Sequence, residues 1–382
     1  MKLSWLSNAP WVSTGYGQQT SMFAPKIRDA GVDVALIASY GLAGDKTRWE
    51  GITVYPQGFD SYGHDIIVDW TLDHFEGDPN AGWLWVLYDA WVFRNPDLGS
   101  LHTAVWAPVD HKPVPPQVAG FFREFNAVPI AMSKYGVEEF AAQDLEALYI
   151  PHGYHPDYEP KPQAEGRAAL GIPADAFVVG FNGANKGKII HRKGFSQAFE
   201  GFARFVKNHS DALLWVHSEK TGYQGTVGWN LERLAHAYGI ADRVRFTDQH
   251  AYKTGIPTDA MPYLYSSFDV FLNTSYGGGF EIPLIEAQAC GVPVITTNFT
   301  AMPELVFDGW RINGLNMWHE EMGSWWKIPS PGEISDALEE AYDRPKGPSE
   351  KALEGVAAYR VDRAFEDHMV PVLDNLRERI NA

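Results

Sequence analysis

The sequence has a single cysteine, Cys290, so no disulfide can form within the chain. It has no apolar run of the ~20 residues that a membrane-crossing helix needs. The opening Met1-Lys2-Leu3-Ser4-Trp5 passes straight into a strand pattern, with no apolar core of a secretory leader. The expectation is a cytoplasmic protein without stable membrane insertion. Positive charge is scarce: 31 Lys and Arg stand against 48 Asp and Glu, a formal net charge of -17. Such a surface repels phosphate backbones and offers no basic footprint, which excludes nucleic acid as a partner. Low-complexity tracts are lacking too, so a long disordered tail is not expected. Two local basic clusters, Lys186/Lys188 and Arg192/Lys193, run against the overall charge. Each suits a small anion, and each, taken alone, is equally an ordinary solvated surface.

What is present is ample apolar material, 45% of 382 residues, in a chain about twice the length of one ~150-residue domain. Short apolar or β-branched runs alternate with segments of helical period. Strands are expected at Leu3 to Leu6, Val32 to Ala38, Ile66 to Val68, Leu84 to Leu87, Thr103 to Trp106 and Val128 to Met132. Alternation of this kind builds a parallel, doubly wound α/β sheet. It pauses at Ile150 to Pro162, where four prolines and Gly153 oppose regular structure. It then restarts with strands at Phe177 to Phe181, Leu213 to His217, Val244 to Phe246, Val270 to Leu272 and Val292 to Thr296. Phe195, Phe199, Phe202 and Val206 recur at spacings that line one buried helix face. The organisation read from this is a Rossmann-like domain over 1–152, a linker over 153–165, a second Rossmann-like domain over 166–348, and a helical segment over 349–382 packing back across the domains. Pro371 is expected to break that last segment near Val370. Open α/β sheets take ligands at the carboxyl ends of their strands, so two facing sheets make an interdomain cleft the default site. Fourteen tryptophans offer flat faces that suit sugar rings, although most tryptophans serve cores.

The most informative stretch is Asn273 to Leu305. A strand ends near Asn273, Gly277, Gly278 and Gly279 follow, and Pro283 suits the first turn of a helix. Glycines admit close approach of a ligand, and the helix start presents unpaired N–H groups to an anion. A plain tight turn would show the same glycines. Within this stretch Gly279-Phe280-Glu281-Ile282-Pro283-Leu284-Ile285-Glu286-Ala287-Gln288-Ala289-Cys290-Gly291-Val292-Pro293-Val294 resembles the donor-binding signature of glycosyltransferase family 4, Gly-Phe-Gly-x-Pro-x-x-Glu-Ala-x-Ala-x-Gly-x-Pro-Val. The resemblance implies two facing Rossmann-like domains of the GT-B type. It also implies a nucleotide-sugar donor, UDP- or GDP-linked, transfer with retention of anomeric configuration, and no metal or other cofactor.

Carried over position by position, Glu286 matches the glutamate that binds the nucleotide ribose in the family. Gly278 stands where the family has the first glutamate of its Glu-x7-Glu pair, on the donor sugar, and Glu281 replaces the second glycine of Gly-Phe-Gly. Glu281 therefore has two readings: a sugar-binding substitute for the missing group, or a solvent-facing residue that favours the helix N-terminus. Arg192 and Lys193, in Ile190-His191-Arg192-Lys193-Gly194-Phe195, match the basic pair that neutralises the donor diphosphate. Cations aimed at a leaving group lower the barrier because its charge grows as the bond breaks. The nearby Gly183-Ala184-Asn185-Lys186-Gly187-Lys188 is one residue short of a P-loop and continues with Ile189 instead of Ser or Thr.

In the first half, the loop Ser7 to Gln18 resembles the family's glycine-rich loop, with Gly15 and Gly17 as candidates. A structural turn would read the same. Asp110 and His111 end another strand where relatives place a His or Asp beside the donor sugar; His152 is a candidate for a structural role. No two aspartates are two residues apart, which removes the Asp-x-Asp metal motif, and there is no His-Glu-x-x-His, Cys/His cluster or Gly-x-Ser-x-Gly elbow. Catalysis is thus expected from Arg192, Lys193, Asp110 and His111, and substrate binding from Gly15, Gly17, Gly278, Gly279, Phe280, Glu281 and Glu286. The partners expected are a nucleotide-sugar donor and an acceptor whose nature the residues do not disclose. A non-catalytic nucleotide-sugar-binding protein and a nucleotide-sugar epimerase remain as alternatives.

Overall fold

The computed structural model describes residues 1–187, 189–222 and 227–381; Lys188 of the first basic cluster lies outside them. The described residues divide into two compact units. One comprises Met1–Gly153, Glu320–Ser324 and the chain from Tyr359 onward; the other comprises Tyr154–His319 and Trp325–Ala358.

The first unit is built on eight strands: β1 (Lys2–Asn8), β2 (Asp33–Tyr40), β3 (Thr47–Trp49), β4 (Ile52–Tyr55), β5 (Gly82–Val86), β6 (Thr103–Ala107), β7 (Val128–Ala131) and β8 (Leu148–Tyr149). Their order is β3-β4-β2-β1-β5-β6-β7-β8, parallel throughout except for the β3–β4 pair. Strands buried on both faces read as continuous apolar runs, as in Leu-Trp-Val of β5 and Ala-Val-Trp of β6. Trp5, Trp85 and Trp106 sit on adjacent strands with ring centroids 6.1 to 6.4 Å apart, fully buried. These three are core residues and not sugar platforms. Phe23 of helix α1 (Gly15–Asp29) meets Trp106 edge-on at 5.5 Å.

One expected strand is absent. Ile66 to Val68 opens the helix Ile67–His74, in which Ile67 and Thr71 turn to the core one turn apart and the Thr71 hydroxyl donates to the Ile67 carbonyl. A three-residue apolar run cannot by itself distinguish a helix start from a strand, and Asp69 interrupts any alternation. The strand at this place in the fold is β4, outside that run.

The second unit carries β9 (Phe177–Asn182), β10 (Ala212–His217), β11 (Val244–Phe246), β12 (Val270–Asn273), β13 (Val294–Thr297) and β14 (Gly309–Ile312) in the order β11-β10-β9-β12-β13-β14, all parallel. A separate hairpin, β15 (Gly314–His319) with β16 (Ser324–Pro329), follows. Helix α2 (Phe195–Phe205) buries Phe195, Phe199, Phe202 and Phe205 completely; Val206 falls just past its end and is half-buried. In both units the strand order reverses once, between β1 and β5 in the first and between β9 and β12 in the second. Loops diverge at such a reversal and leave a crevice at the carboxyl ends of the strands.

The C-terminal segment is helical but interrupted, and one interruption falls just ahead of Val370, where the sequence expects a break. It runs as Glu350–Val356, Val361–Ala364, a π-helical turn Phe365–Met369 and Val370–Asn381. In the last of these, Pro371 comes just after the π-helical turn, and its missing N–H leaves no donor for a regular α-helical bond across that junction. That helix accepts a hydrogen bond from Trp83 Nε1 at the Leu376 carbonyl, 2.9 Å, inside the first unit.

Candidate functional site

The reversal in the second unit brings two loops together, one after β9 and one after β12. The first ends in His191, Arg192, Lys193 and Gly194. Gly194 adopts φ +66°, and a side chain there would run into the Thr274 carbonyl. Only glycine lets the two loops lie this close. Thr274 fastens them, its hydroxyl 2.9 Å from the Lys193 carbonyl, and the Tyr276 N–H donates to the Arg192 carbonyl at 2.8 Å.

The second loop, Thr274 to Phe280, leads into helix α3 (Ile282–Ala289), with proline in its first turn. Gly278 and Gly279 are buried, Phe280 is half-buried, and neither glycine has the left-handed backbone of a tight turn. The Gly278 N–H donates to Thr300 Oγ1 at 3.0 Å, and its carbonyl accepts from the Ala301 N–H at 3.3 Å. The loop is thereby tied to the segment after β13.

At the mouth of α3 the structure joins three residues that the sequence singles out separately. Glu281 is buried, and Lys193 Nζ lies 2.8 Å from its Oε1 and 2.7 Å from its Oε2. Arg192 Nη1 lies 3.6 Å from Oε1 and donates to the Gly277 carbonyl at 2.6 Å. Asn273 Nδ2, at the end of β12, donates to Oε2 at 3.1 Å. Glu281 is therefore no solvent-facing cap, and its side chain makes no capping bond to α3. Burial pushes its carboxyl up, but the Lys193 and Arg192 charges, with hydrogen bonds from Lys193 and Asn273, outweigh this and hold it below its ordinary value. Burial and the same two cations hold His191 down, at about 4. Its Nε2 lies 2.8 Å from Asn185 Oδ1, so it braces the first loop.

Glu286, one turn into α3, is also buried and accepts from the Tyr265 hydroxyl at 2.7 Å. Asn273, Thr274, Thr300 and Tyr265 were not singled out in the sequence. Asn273 and Thr274 carry a signal, as polar residues closing an apolar strand at the reversal; Thr300 and Tyr265 carry none, since long-range packing alone brings them here.

In the first unit, Gly15 opens α1 and Gly17 donates its N–H to the Thr14 cap at 3.1 Å. A side chain at Gly17 would strike the Val12 carbonyl, so this glycine permits close packing of the loop after β1 on its helix. Asp110 and His111 follow β6. Asp110 Oδ1 lies 2.6 Å from His111 Nδ1, an acid–imidazole pair with the histidine buried. His152 packs on Trp106 at 4.6 Å, fully buried and held down to about 3 by that burial. Among the described residues no group of three or more His, Cys, Asp or Glu is placed to hold a metal ion, and no helix is long and apolar enough to cross a membrane.

Residues 177–343 match the protein family described as Glycosyl transferases group 1. The lipopolysaccharide core biosynthesis mannosyltransferase of Rhizobium meliloti is 33% identical over 179 residues, which are 45% of this chain and 46% of that protein. The aligned stretch is thus less than half the length of this curated relative. Among solved structures, sucrose-phosphate synthase from Thermosynechococcus elongatus superposes with a TM-score of 0.72 at 16% identity, covering 99% of this chain and all of that one. The Anabaena protein HepE, solved in complex with UDP-glucose, gives 0.67 at 16% identity, covering 98% of this chain and all of its own. These structures share the fold, two Rossmann-like units of the GT-B class. The likeness to the glycosyl transferases group 1 family thus lies in residues 177–343, less than half of the chain.

Proposed function

We propose that this protein is a retaining glycosyltransferase of the family-4 type, moving a sugar from a UDP- or GDP-linked donor to an acceptor hydroxyl without a metal. One observation carries the reading: Arg192, Lys193 and the glycine-rich loop converge at the start of α3, at the carboxyl ends of β9 and β12. Two cations and a helix N-terminus at a strand-order reversal suit a diphosphate. As the donor's glycosidic bond breaks, negative charge builds on the departing phosphate, and Arg192 and Lys193 answer it there. The acceptor hydroxyl attacks on the face that the nucleotide leaves, and the phosphate takes its proton, so no protein nucleophile is required. On this reading Glu286 serves the ribose hydroxyls, as the matching position of the family implies. HepE, of the same fold, is solved with UDP-glucose, which supports a donor of this class.

Thermal melting against a panel of UDP- and GDP-sugars tests the donor, since a ligand at 100 times its dissociation constant stabilises by ~2.7 kcal/mol. Transfer that persists in EDTA with a retained anomeric centre is the expected outcome. Activity lost to chelation and restored by manganese would overturn the metal-free step. Donor binding with no turnover on any acceptor would favour the non-catalytic alternative, for which the missing glutamate at Gly278 speaks.

A further inference from the structure

Two departures from the signature, glycine at 278 and glutamate at 281, occupy one space in the fold. A Cβ built on Gly278 falls 2.7 Å from both Cγ and Oε1 of Glu281. No pair of packed atoms tolerates that distance without movement. The φ of Gly278 lies outside the left-handed region, so its backbone would admit any side chain. What demands glycine here is the Glu281 side chain. From that position Glu281 brings both of its oxygens to the Lys193 ammonium, with Asn273 holding Oε2 from the other side.

We propose that Gly278 and Glu281 are a linked exchange, in which the carboxylate from residue 281 fills the space beside the bare Cα of residue 278 and fixes the Lys193 ammonium where it meets the donor diphosphate. Glu281 is then a positioning residue acting through Lys193. The diphosphate rests on the glycosyltransferase reading above; the linkage of 278, 281 and 193 does not.

The test is a double-mutant cycle on the full chain, read by melting temperature without ligand and by calorimetric titration with UDP and with GDP. Gly278→Ala is expected to lower the melting temperature in the wild-type background and to be close to neutral with Glu281→Gly, where the obstructing side chain is gone. The exchanged protein, Gly278→Glu with Glu281→Gly, returns a carboxylate to the same space and is expected to bind nucleotide at least tenfold more tightly than Glu281→Gly alone. Should Glu281→Gly not fold, Lys193→Met decides: its melting loss is expected to be several degrees in the wild type and much smaller with Glu281→Gln. Additive losses in these cycles, or an exchanged protein no better than Glu281→Gly, would overturn the proposal. A wild type that binds neither nucleotide would sink the donor reading alone, because the ligand-free cycles still decide the linkage.

Discussion

Tyr265 donates its hydroxyl to Glu286 at 2.7 Å while accepting from the Asn182 amide at 2.9 Å. Asn182 closes β9, Tyr265 lies in the short helix Met261–Ser266, and Glu286 lies on α3, so the relay pins the end of a strand to the helix that follows the glycine-rich loop. A buried carboxylate is costly unless it is bonded, and this one is bonded by a neutral phenol and not by a cation. Burial accordingly holds the Glu286 carboxyl above its ordinary value, against the hydrogen bond from Tyr265.

That position predicts a conflict between stability and binding. A carboxyl whose pKa is higher folded than unfolded binds more protons in the folded state, so its ionisation opposes folding. The penalty is complete above the folded pKa and absent below the unfolded one. Glu286→Gln, which keeps the shape and the Tyr265 bond, should therefore melt at or above the wild type at pH 8, with the gap closing toward pH 4. The same change should weaken binding of the free nucleoside diphosphate. Scanning calorimetry across pH, with titration at pH 8, checks both; a Gln variant that melts lower at pH 8 would show the carboxylate to be structurally required.

Most of the doubly wound fold was legible because apolar runs such as Leu84–Leu87 and Phe177–Phe181 are buried on both faces and stand out against more polar helices. The exceptions are local. Ile66–Val68 was too short to fix its period, and β14 and the β15–β16 hairpin carry polar and exposed residues that break a strand pattern. The helix start at Pro283 was legible because backbone chemistry dictates the residue there. The Lys193–Glu281 contact was not, since it joins residues 88 apart through the register of two loops.

Gly194→Ala should be damaging out of proportion to one methyl group. The left-handed backbone costs a residue with Cβ ~1–2 kcal/mol, and the methyl also meets the Thr274 carbonyl, which cannot move without disturbing the loop after β12. A fall of roughly 5–10 °C in melting temperature is expected. Nucleotide affinity, measured well below the transition, should fall as well, because Lys193 is the preceding residue. An Ala variant with wild-type affinity would show the two loops to be independent.

The Asp110–His111 pair predicts the opposite split. With Asp110 Oδ1 at 2.6 Å, the carboxylate selects the tautomer with the proton on Nδ1 and orients the ring. Asp110→Asn keeps the size but can present an N–H to Nδ1, favouring the other tautomer. Turnover should drop at least tenfold, about 1.4 kcal/mol in the barrier, with little change in melting temperature. Steady-state kinetics beside thermal melting would reveal the split, and unchanged turnover would remove the pair from the chemistry.

Lys193→Ala separates transition-state from ground-state roles and also reports on Glu281. If the ammonium answers charge that grows as the glycosidic bond breaks, turnover should fall at least a hundredfold while affinity for the intact donor changes less than tenfold. A raised Michaelis constant with normal turnover would show uniform binding instead. The truncation also strips a buried carboxylate of its nearest cation, at a cost of about 3 kcal/mol, since removing one partner of a buried pair strands the other. In the wild type the depressed Glu281 carboxyl contributes stability that is present above its unfolded pKa and lost as pH falls through the folded value. Without Lys193 only the Arg192 charge and the Asn273 hydrogen bond oppose the burial that pushes the carboxyl up, so ionised Glu281 no longer adds that stability. The melting deficit of Lys193→Ala should therefore be greatest at neutral pH and should shrink as pH falls toward 4, where Glu281 takes up a proton. Differential scanning calorimetry of the two proteins from pH 4 to 8 measures this directly, and a deficit that stays constant across the range would mean that Arg192 alone keeps Glu281 ionised.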